Sequence, residues 1–361
     1  MSEALSVHGD GRYFTLFREQ RSGLWFIRSS KEISEKGLYV SLKGYEAQVF
    51  LDIHEVADDS KGRWAKLNHE LEGRGVPDPG AAVQDLCLGE LYYRFTELLK
   101  PEVVEGFRRF FTGTAPAGAE AFITSLREPV LAFIETAKQF IGGADGRYDP
   151  FVRKGRERAL PAERTADQWG AFLARLLDLA AYSSSAEPAG EGLAAPYLKG
   201  LAAEMRDRPF VIAAALGYGI LSLLRPVLGE GVSGAEAARL GFDHWSLDRK
   251  LREQYRGMGI PEAEGRRAAD LIKAVLSRTV PADLKPYGAG KPAGRLAAAI
   301  IEAHYDAEDF RSLLGINFFE DVTWFNKEGF EDALFYGSLF FTLENEAALA
   351  EYSGKKKKVP V

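Results

Sequence analysis

The chain has 361 residues, 46% of them hydrophobic and 27% charged, with a net charge of −6 at pH 7. This composition excludes a mostly disordered, collagen-like or multi-span membrane protein, and the lack of a dominant basic field argues against nucleic acid as the main partner. The lone cysteine, Cys87, excludes an intramolecular disulfide framework and a cysteine-only zinc site.

The predicted fold is α+β: a small antiparallel β-sheet domain over residues 1–60, then a large, mostly α-helical domain over 61–361. Met1 to Gly11 has no basic region followed by an apolar stretch, so no signal peptide is visible and a cytoplasmic location is expected. Arg12 to Arg18 is rich in aromatic and β-favouring residues and reads as a strand. Gly23 opens a second at Leu24–Arg28, Gly37 a third at Leu38–Leu42, and Gly44 a fourth at Tyr45–Val56. In the fourth, period two puts Ala47, Val49, Leu51, Ile53 and Glu55 largely inward. Ser29 to Lys36 has length to spare for a loop or a turn of helix. Four neighbouring strands predict a meander. With aromatic residues on both faces it needs a second layer, from its own helices or from another body.

Beyond Gly62 the period is helical. Asp78-Pro79 is an N-cap with proline in the first turn, leading into Leu86, Leu91, Tyr92, Phe95, Leu98 and Leu99. Thr165-Ala166-Asp167-Gln168 has capping-box form ahead of Trp169, Phe172, Leu173, Leu176 and Leu177, and Ser233–Glu236 is another such box. Phe210–Leu224 is apolar for about fifteen residues, short of the roughly 18–20 that span a bilayer, so it reads as a buried core helix. Leu247, Leu251, Tyr255 and Met258 form a stripe, Pro261 starts a helix carrying Leu271, Ile272, Val275 and Leu276, and a last helix is expected from Lys327 to Glu351. Gly142–Pro161, Ser183–Pro196 and Pro281–Pro292 read as loops.

Catalytic motifs fail at specific positions. A zinc protease helix needs histidines four apart, but Gly73 follows His69-Glu70 and Asp58 follows His54-Glu55 where the second would stand. His304 reads as a core or boundary residue beside Ile300 and Ile301. Gly288–Lys291 lacks the first glycine and the hydroxyl residue of a phosphate loop, having Lys285 and Pro292 there. Gly217-Tyr218-Gly219 sits inside an apolar helical run and reads as close helix packing. Gly231–Ala235 has no strand before it to make a nucleophile elbow. Cys87 reads as a small buried hydrophobe. The acid pairs Asp58-Asp59, Asp306–Asp309 and Glu331-Asp332 read as helix caps and solvated faces, and Lys355–Lys358 as a solvated end. No residue stands out as catalytic or metal-binding, and no cofactor is expected.

Tyr13, Phe14, Phe17, Trp25, Phe26, Tyr39, Tyr45 and Phe50 crowd the strand region. Flat rings on an exposed sheet stack on sugars, and rings on two faces equally make a core and an interface. Trp25, Tyr39 and Tyr45 are the candidate carbohydrate-binding residues.

Gly23–Ser29, Gly37–Val40 and Tyr45–Val56, with its Val-Phe-Leu-Asp run ending in Glu-Val, resemble the closing β-domain of large bacterial α-amylase-family proteins. In that group a helical extension follows with a stretch similar to Gly73-Arg74-Gly75-Val76-Pro77, and later phrases similar to Leu314–Asn317 and Trp324–Glu328. The resemblance implies a link to retaining hydrolysis or transfer at α-glucosidic bonds, performed by carboxylates on a barrel of about 250 residues. No such strand–helix alternation occurs here, so no catalytic carboxylate carries over. The chain looks like the region after the barrel, and the implied partner is a barrel domain or a protein encoded upstream, on which the sheet's outer face would rest. The expected function is therefore an accessory, non-catalytic region of an α-glucan-acting glycosidase. The alternatives are an α-glucan-binding module, or a helical scaffold or regulator with no sugar role. No membrane or nucleic-acid partner is expected.

Overall fold

The computed structural model describes residues 7–45, 47–115, 118–141, 160–184, 194–228, 238–239, 241–276 and 308–344. The chain is α+β, a small antiparallel sheet followed by a mostly helical part. It forms two units, Met1–Gly89 and Glu90–Val361. The division thus lies later than the change of secondary structure near residue 60.

In the first unit, β1 (Tyr13–Glu19) pairs antiparallel with β2 (Trp25–Ser29) on one side and with β3 (Phe50–Ala57) on the other, in the order β2-β1-β3. This corrects the four-stranded meander. Ser29–Lys36 supplies a helix, α1 (Ser30–Lys36), and Leu38–Leu42 lies in an irregular connection instead of a strand. The inward set expected for the last strand is also corrected: Val49, Leu51 and Ile53 are exposed, while Phe50 and Val56 are half-buried. A register shift also divides the expected set between the two faces of the sheet. Leu16 opposes His54 while Arg18 opposes Leu51, and Asp52 takes up the extra residue at φ +54°. A bulge of this kind changes which side chains face inward from that point on.

The second layer comes from the unit itself. Residues opposite one another share a face, so Phe14, Leu16, Ile27 and Val56 lie on one side of the sheet and Thr15, Phe17, Phe26 and Phe50 on the other. Phe14 and Ile27 form a core with Leu67 and Leu71 of α2 (Arg63–Leu71) and Val83 of α3 (Pro79–Leu98), flanked by Val56, Trp64, Val76 and Cys87. On the opposite side the Thr15 and Ser30 hydroxyls are 2.8 Å apart, anchoring α1, whose Ile33 is buried. Strand β1 is buried on both faces, so it needs no missing body to cover it. Asp78 Oδ1 accepts a hydrogen bond from the Ala81 N–H at 3.0 Å, the N-cap that the sequence predicts for α3.

The second unit contains α4 (Pro101–Phe111), α5 (Ala119–Ser125), α6 (Arg127–Ile141), α7 (Ala162–Ser184), α8 (Ala194–Asp207), α9 (Pro209–Ser222), α10 (Leu224–Leu228), α11 (Leu247–Gly257), α12 (Glu262–Leu276), α13 (Glu308–Leu313) and α14 (Lys327–Glu344). Helix α9 is buried from Phe210 to Leu221 and packs against α4, α7, α8, α11, α12 and α14. The segment Pro209–Val227 is long and apolar enough to cross a membrane by length and composition, and most of it is buried inside this unit. Its glycines are packing glycines. A Cβ on Gly217 would stand 2.7 Å from the Tyr255 hydroxyl, and one on Gly219 would stand 2.4 Å from the Phe172 ring. The predicted stripes at Trp169–Leu177, Leu247–Tyr255 and Leu271–Leu276 are core residues. Thr165 is not the cap of α7: the helix starts at Ala162 and the Thr165 hydroxyl donates back to the Pro161 carbonyl at 3.1 Å.

Between α13 and α14 stands a two-stranded hairpin, β4 (Asn317–Phe319) and β5 (Val322–Trp324), joined by Glu320 and Asp321 at φ +49° and +60°. The Asn326 Oδ1 then accepts the Gly329 N–H at 3.0 Å and caps α14. The predicted loops Gly142–Pro161, Ser183–Pro196 and Pro281–Pro292 lie largely outside the described residues. Ser233–Glu236, Gly231–Ala235, Gly288–Lys291, His304 and Lys355–Lys358 lie wholly outside them.

Candidate functional site

Trp25, Tyr39 and Tyr45 sit in three different settings. Trp25 opens β2, and its backbone exchanges hydrogen bonds with Val76 at 2.7 and 2.8 Å. Its half-buried ring meets His54 edge-on, with centroids 5.6 Å apart, and the Arg18 guanidinium lies over it at 5.9 Å. Arg18 also pairs with Asp52 at 2.6 Å, across the bulge. The ring therefore packs beside an ion pair. Tyr39 is 87% exposed, and Tyr45 is fully exposed at a turn with φ +67°. Neither tyrosine has a ring contact among the described residues, and the rings near Trp25 and those of the two tyrosines do not form one stacked platform.

Other apolar residues near the two tyrosines in sequence are also exposed. Val40, Leu42, Val49, Leu51 and Ile53 are exposed together with the two tyrosines. They fall on the connection after α1 and on β3, whose only strand partner among the described residues is β1. The outer edge of β3 therefore presents backbone donors and acceptors beside apolar side chains, the arrangement that accepts an added strand or another surface. Phe17, Phe26 and Phe50 instead pack on one another, with centroids 5.8 and 5.0 Å from Phe17.

Asp58-Asp59 and Glu331-Asp332 act as caps and ion-pair partners, while Asp306–Asp309 lies partly outside the described residues. Asp58 accepts hydrogen bonds from the backbone of Trp64 and Ala65 at 2.9 and 3.1 Å, and Asp59 pairs with Arg63, so together they finish the N-terminus of α2. Burial pushes Asp59 up, but its hydrogen bonds with Arg63 and Lys61 outweigh this and hold the carboxyl below its ordinary value. Glu331 pairs with Lys327 at 3.6 Å and Asp332 with Arg267 at 2.7 Å. His54 Nδ1 lies 2.8 Å from the Asp52 carbonyl, and His8 Nδ1 lies 2.6 Å from Glu55. No group of three histidine, cysteine or acidic side chains among the described residues could hold a metal ion. Cys87 is half-buried against the first unit's core, and burial pushes its thiol up, away from the thiolate form a nucleophile needs.

One polar cluster has no motif to announce it. In the second unit Arg225 donates to Glu344 at 2.6 Å and to the Val275 carbonyl at 3.0 Å, while the buried Tyr218 hydroxyl donates to the same Glu344 oxygen at 2.6 Å. The Tyr218 ring stacks on Phe340 at 4.1 Å. Burial works against the charge on Arg225, but Tyr218 and Glu344 outweigh it and keep the guanidinium protonated. Arg225 thus ties α10 to the ends of α12 and α14, a structural role. Its only sequence signal is an arginine closing a long apolar run.

No family model, no curated protein and no solved structure matches this chain.

Proposed function

We propose that the chain is a non-catalytic accessory region that docks onto and supports an α-glucan-acting protein of the α-amylase family. The resemblance in the sequence gives the class of partner. The observation that carries the docking role is the exposure of Tyr39, Val40, Leu42, Val49, Leu51 and Ile53, on and just before β3 with its open edge. Single exposed apolar residues are common, but several on and just before a strand with an unpaired edge favour an interaction surface.

Co-expression with an α-amylase-family barrel protein, sought in the coding sequence upstream, tests this reading, and the lack of one there would count against it. The expected result is a complex that survives gel filtration and is lost when Leu51 and Ile53 are both replaced by threonine. The isolated chain is expected to release no sugar from starch. A barrel protein that elutes alone, or starch hydrolysis by this chain by itself, would overturn the reading. A second reading, α-glucan binding, draws on the open rings of Tyr39 and Tyr45, because exposed aromatic faces stack on sugar rings. Affinity electrophoresis through glycogen gels separates the two: retardation that disappears in Tyr39→Ala and Tyr45→Ala favours sugar binding.

A further inference from the structure

We propose that the β4–β5 hairpin pairs with the same hairpin of a second copy of this chain, about a two-fold axis through Thr323. The starting observation is an excess of exposed rings. Phe318, Phe319, Trp324 and Phe325 are 54–72% exposed, and Val322 is half exposed. The register is Asn317↔Trp324, Phe318↔Thr323 and Phe319↔Val322. Phe319, Val322 and Trp324 therefore line one face and Phe318 the other. A two-stranded hairpin is marginal in water by itself and is stabilised by further strands.

The register selects the edge. In a hairpin with a two-residue loop, the closing pair Phe319↔Val322 exchanges its hydrogen bonds, and the next pair points its backbone groups outward. Thr323 thus offers a free N–H and C=O on the β5 side. Antiparallel pairing about Thr323 lets the two threonines exchange both bonds. It sets Val322 opposite Trp324 of the second copy, a favourable β-branched–aromatic pair. It also brings the acidic tip, Glu320 and Asp321, against the base of the other hairpin, where Lys327 is largely exposed. Pairing through β4 would set that tip beside Ile316 and Gly315, with no cation. Bilayer insertion is disfavoured because the two acids at the tip would have to enter first.

The area sets the strength. An aromatic side chain buries about 150–250 Å² when covered, so each hairpin leaves roughly 500 Å² open and two copies could cover about 1,000 Å² at most. That is the lower bound of a specific interface, and the dimer is accordingly weak and concentration-dependent.

Sedimentation velocity on the full chain, across a concentration series, tests the pairing. The expected result is a reversible monomer–dimer shift. Thr323→Pro removes an outward N–H, which an edge strand tolerates, and is expected to leave only monomer with an unchanged helical circular dichroism signal. Trp324→Thr and Lys327→Glu should each weaken the dimer about tenfold or more. Combining Lys327→Glu with Glu320→Lys and Asp321→Lys should restore it. A wild type that stays monomeric, a dimer that survives Thr323→Pro, or a ladder of higher oligomers would overturn the proposal. So would a dimer lost in Tyr39→Ser but kept in Trp324→Thr, which would move the interface to the first unit. Monomer that floats with phosphatidylcholine vesicles through Trp324 would replace the second copy with a lipid surface and equally overturn it.

Discussion

The two units solve the burial of apolar side chains in opposite ways. The helical unit surrounds α9 on all sides, and glycines at 217 and 219 let neighbouring side chains approach its backbone. The β unit has a small core of Phe14, Ile27, Leu67, Leu71 and Val83, and leaves Tyr39, Leu42, Val49, Leu51 and Ile53 in solvent. Composition accounts for part of the difference, since α9 has no charged residue while residues 39–53 include Lys43, Glu46 and Asp52. The rest follows from neighbours: α9 packs against helices on several sides, whereas among the described residues β3 pairs with β1 alone. An apolar run at a free edge is thus available for association, and an apolar run in a bundle serves stability.

Substitutions in the helical unit should therefore have the largest effects. Gly219→Val sets a Cβ 2.4 Å from the Phe172 ring and adds two methyl groups beyond it, so about 3 kcal/mol of stability should be lost. Calorimetry would check this, and a melting temperature equal to the wild type would mean that α7 and α9 pack far more loosely. Next comes the polar cluster. Arg225→Leu strands the half-buried Glu344 carboxylate and two helix-end carbonyls, at a cost of about 2–3 kcal/mol. Adding Glu344→Met should recover part of that loss, because an apolar pair replaces an uncompensated charge. No recovery in urea titrations would show that the loss lies in the Arg225 carbonyl contacts and in the Tyr218 hydroxyl left without its acceptor.

A smaller effect belongs to the β unit. Burial pushes Glu55 up, but hydrogen bonds from His8 and Ser30 outweigh it and hold the carboxyl below its ordinary value. A carboxyl with a depressed folded-state pKa contributes stability above its unfolded value, and that contribution is lost as pH falls through the folded one. Glu55→Gln should therefore cost about 0.5–1 kcal/mol at neutral pH and progressively less at acid pH, as the folded carboxyl takes up its proton. Equal losses at neutral and acid pH in denaturant titrations would show that the effect is not ionic.

Much of the helical unit was legible in the sequence. The three-and-four spacing of Trp169–Leu177 and Leu271–Leu276 survives in the fold because bundle helices bury whole stripes. The packing role of Gly217 and Gly219 was legible for the same reason. The β unit was only half legible. Leu38, Val40 and Leu42 alternate as a strand does, yet alternation specifies no partner, and β1 already has a neighbour on each side. The bulge at Asp52 was invisible, since an aspartate accepts φ +54° without a glycine to signal it. The turn of β4–β5 uses Glu320-Asp321 where Asn-Gly is the usual cue. Of the candidate residues, Tyr39 and Tyr45 lie on the open surface, while Trp25 is occupied by Arg18 and His54.

The smallest expected effect is the most direct comparison of the two kinds of apolar residue. Leu51→Thr and Ile53→Thr keep strand-compatible side chains at exposed positions, so each should change stability by no more than about 0.5 kcal/mol. Phe14→Ala, in the same unit but in its core, should cost about 3–5 kcal/mol. Both values come from one urea titration series on the full chain. If Ile53→Thr instead costs more than about 1 kcal/mol, the edge of β3 is covered in solution, and its apolar side chains serve the fold before they serve a partner.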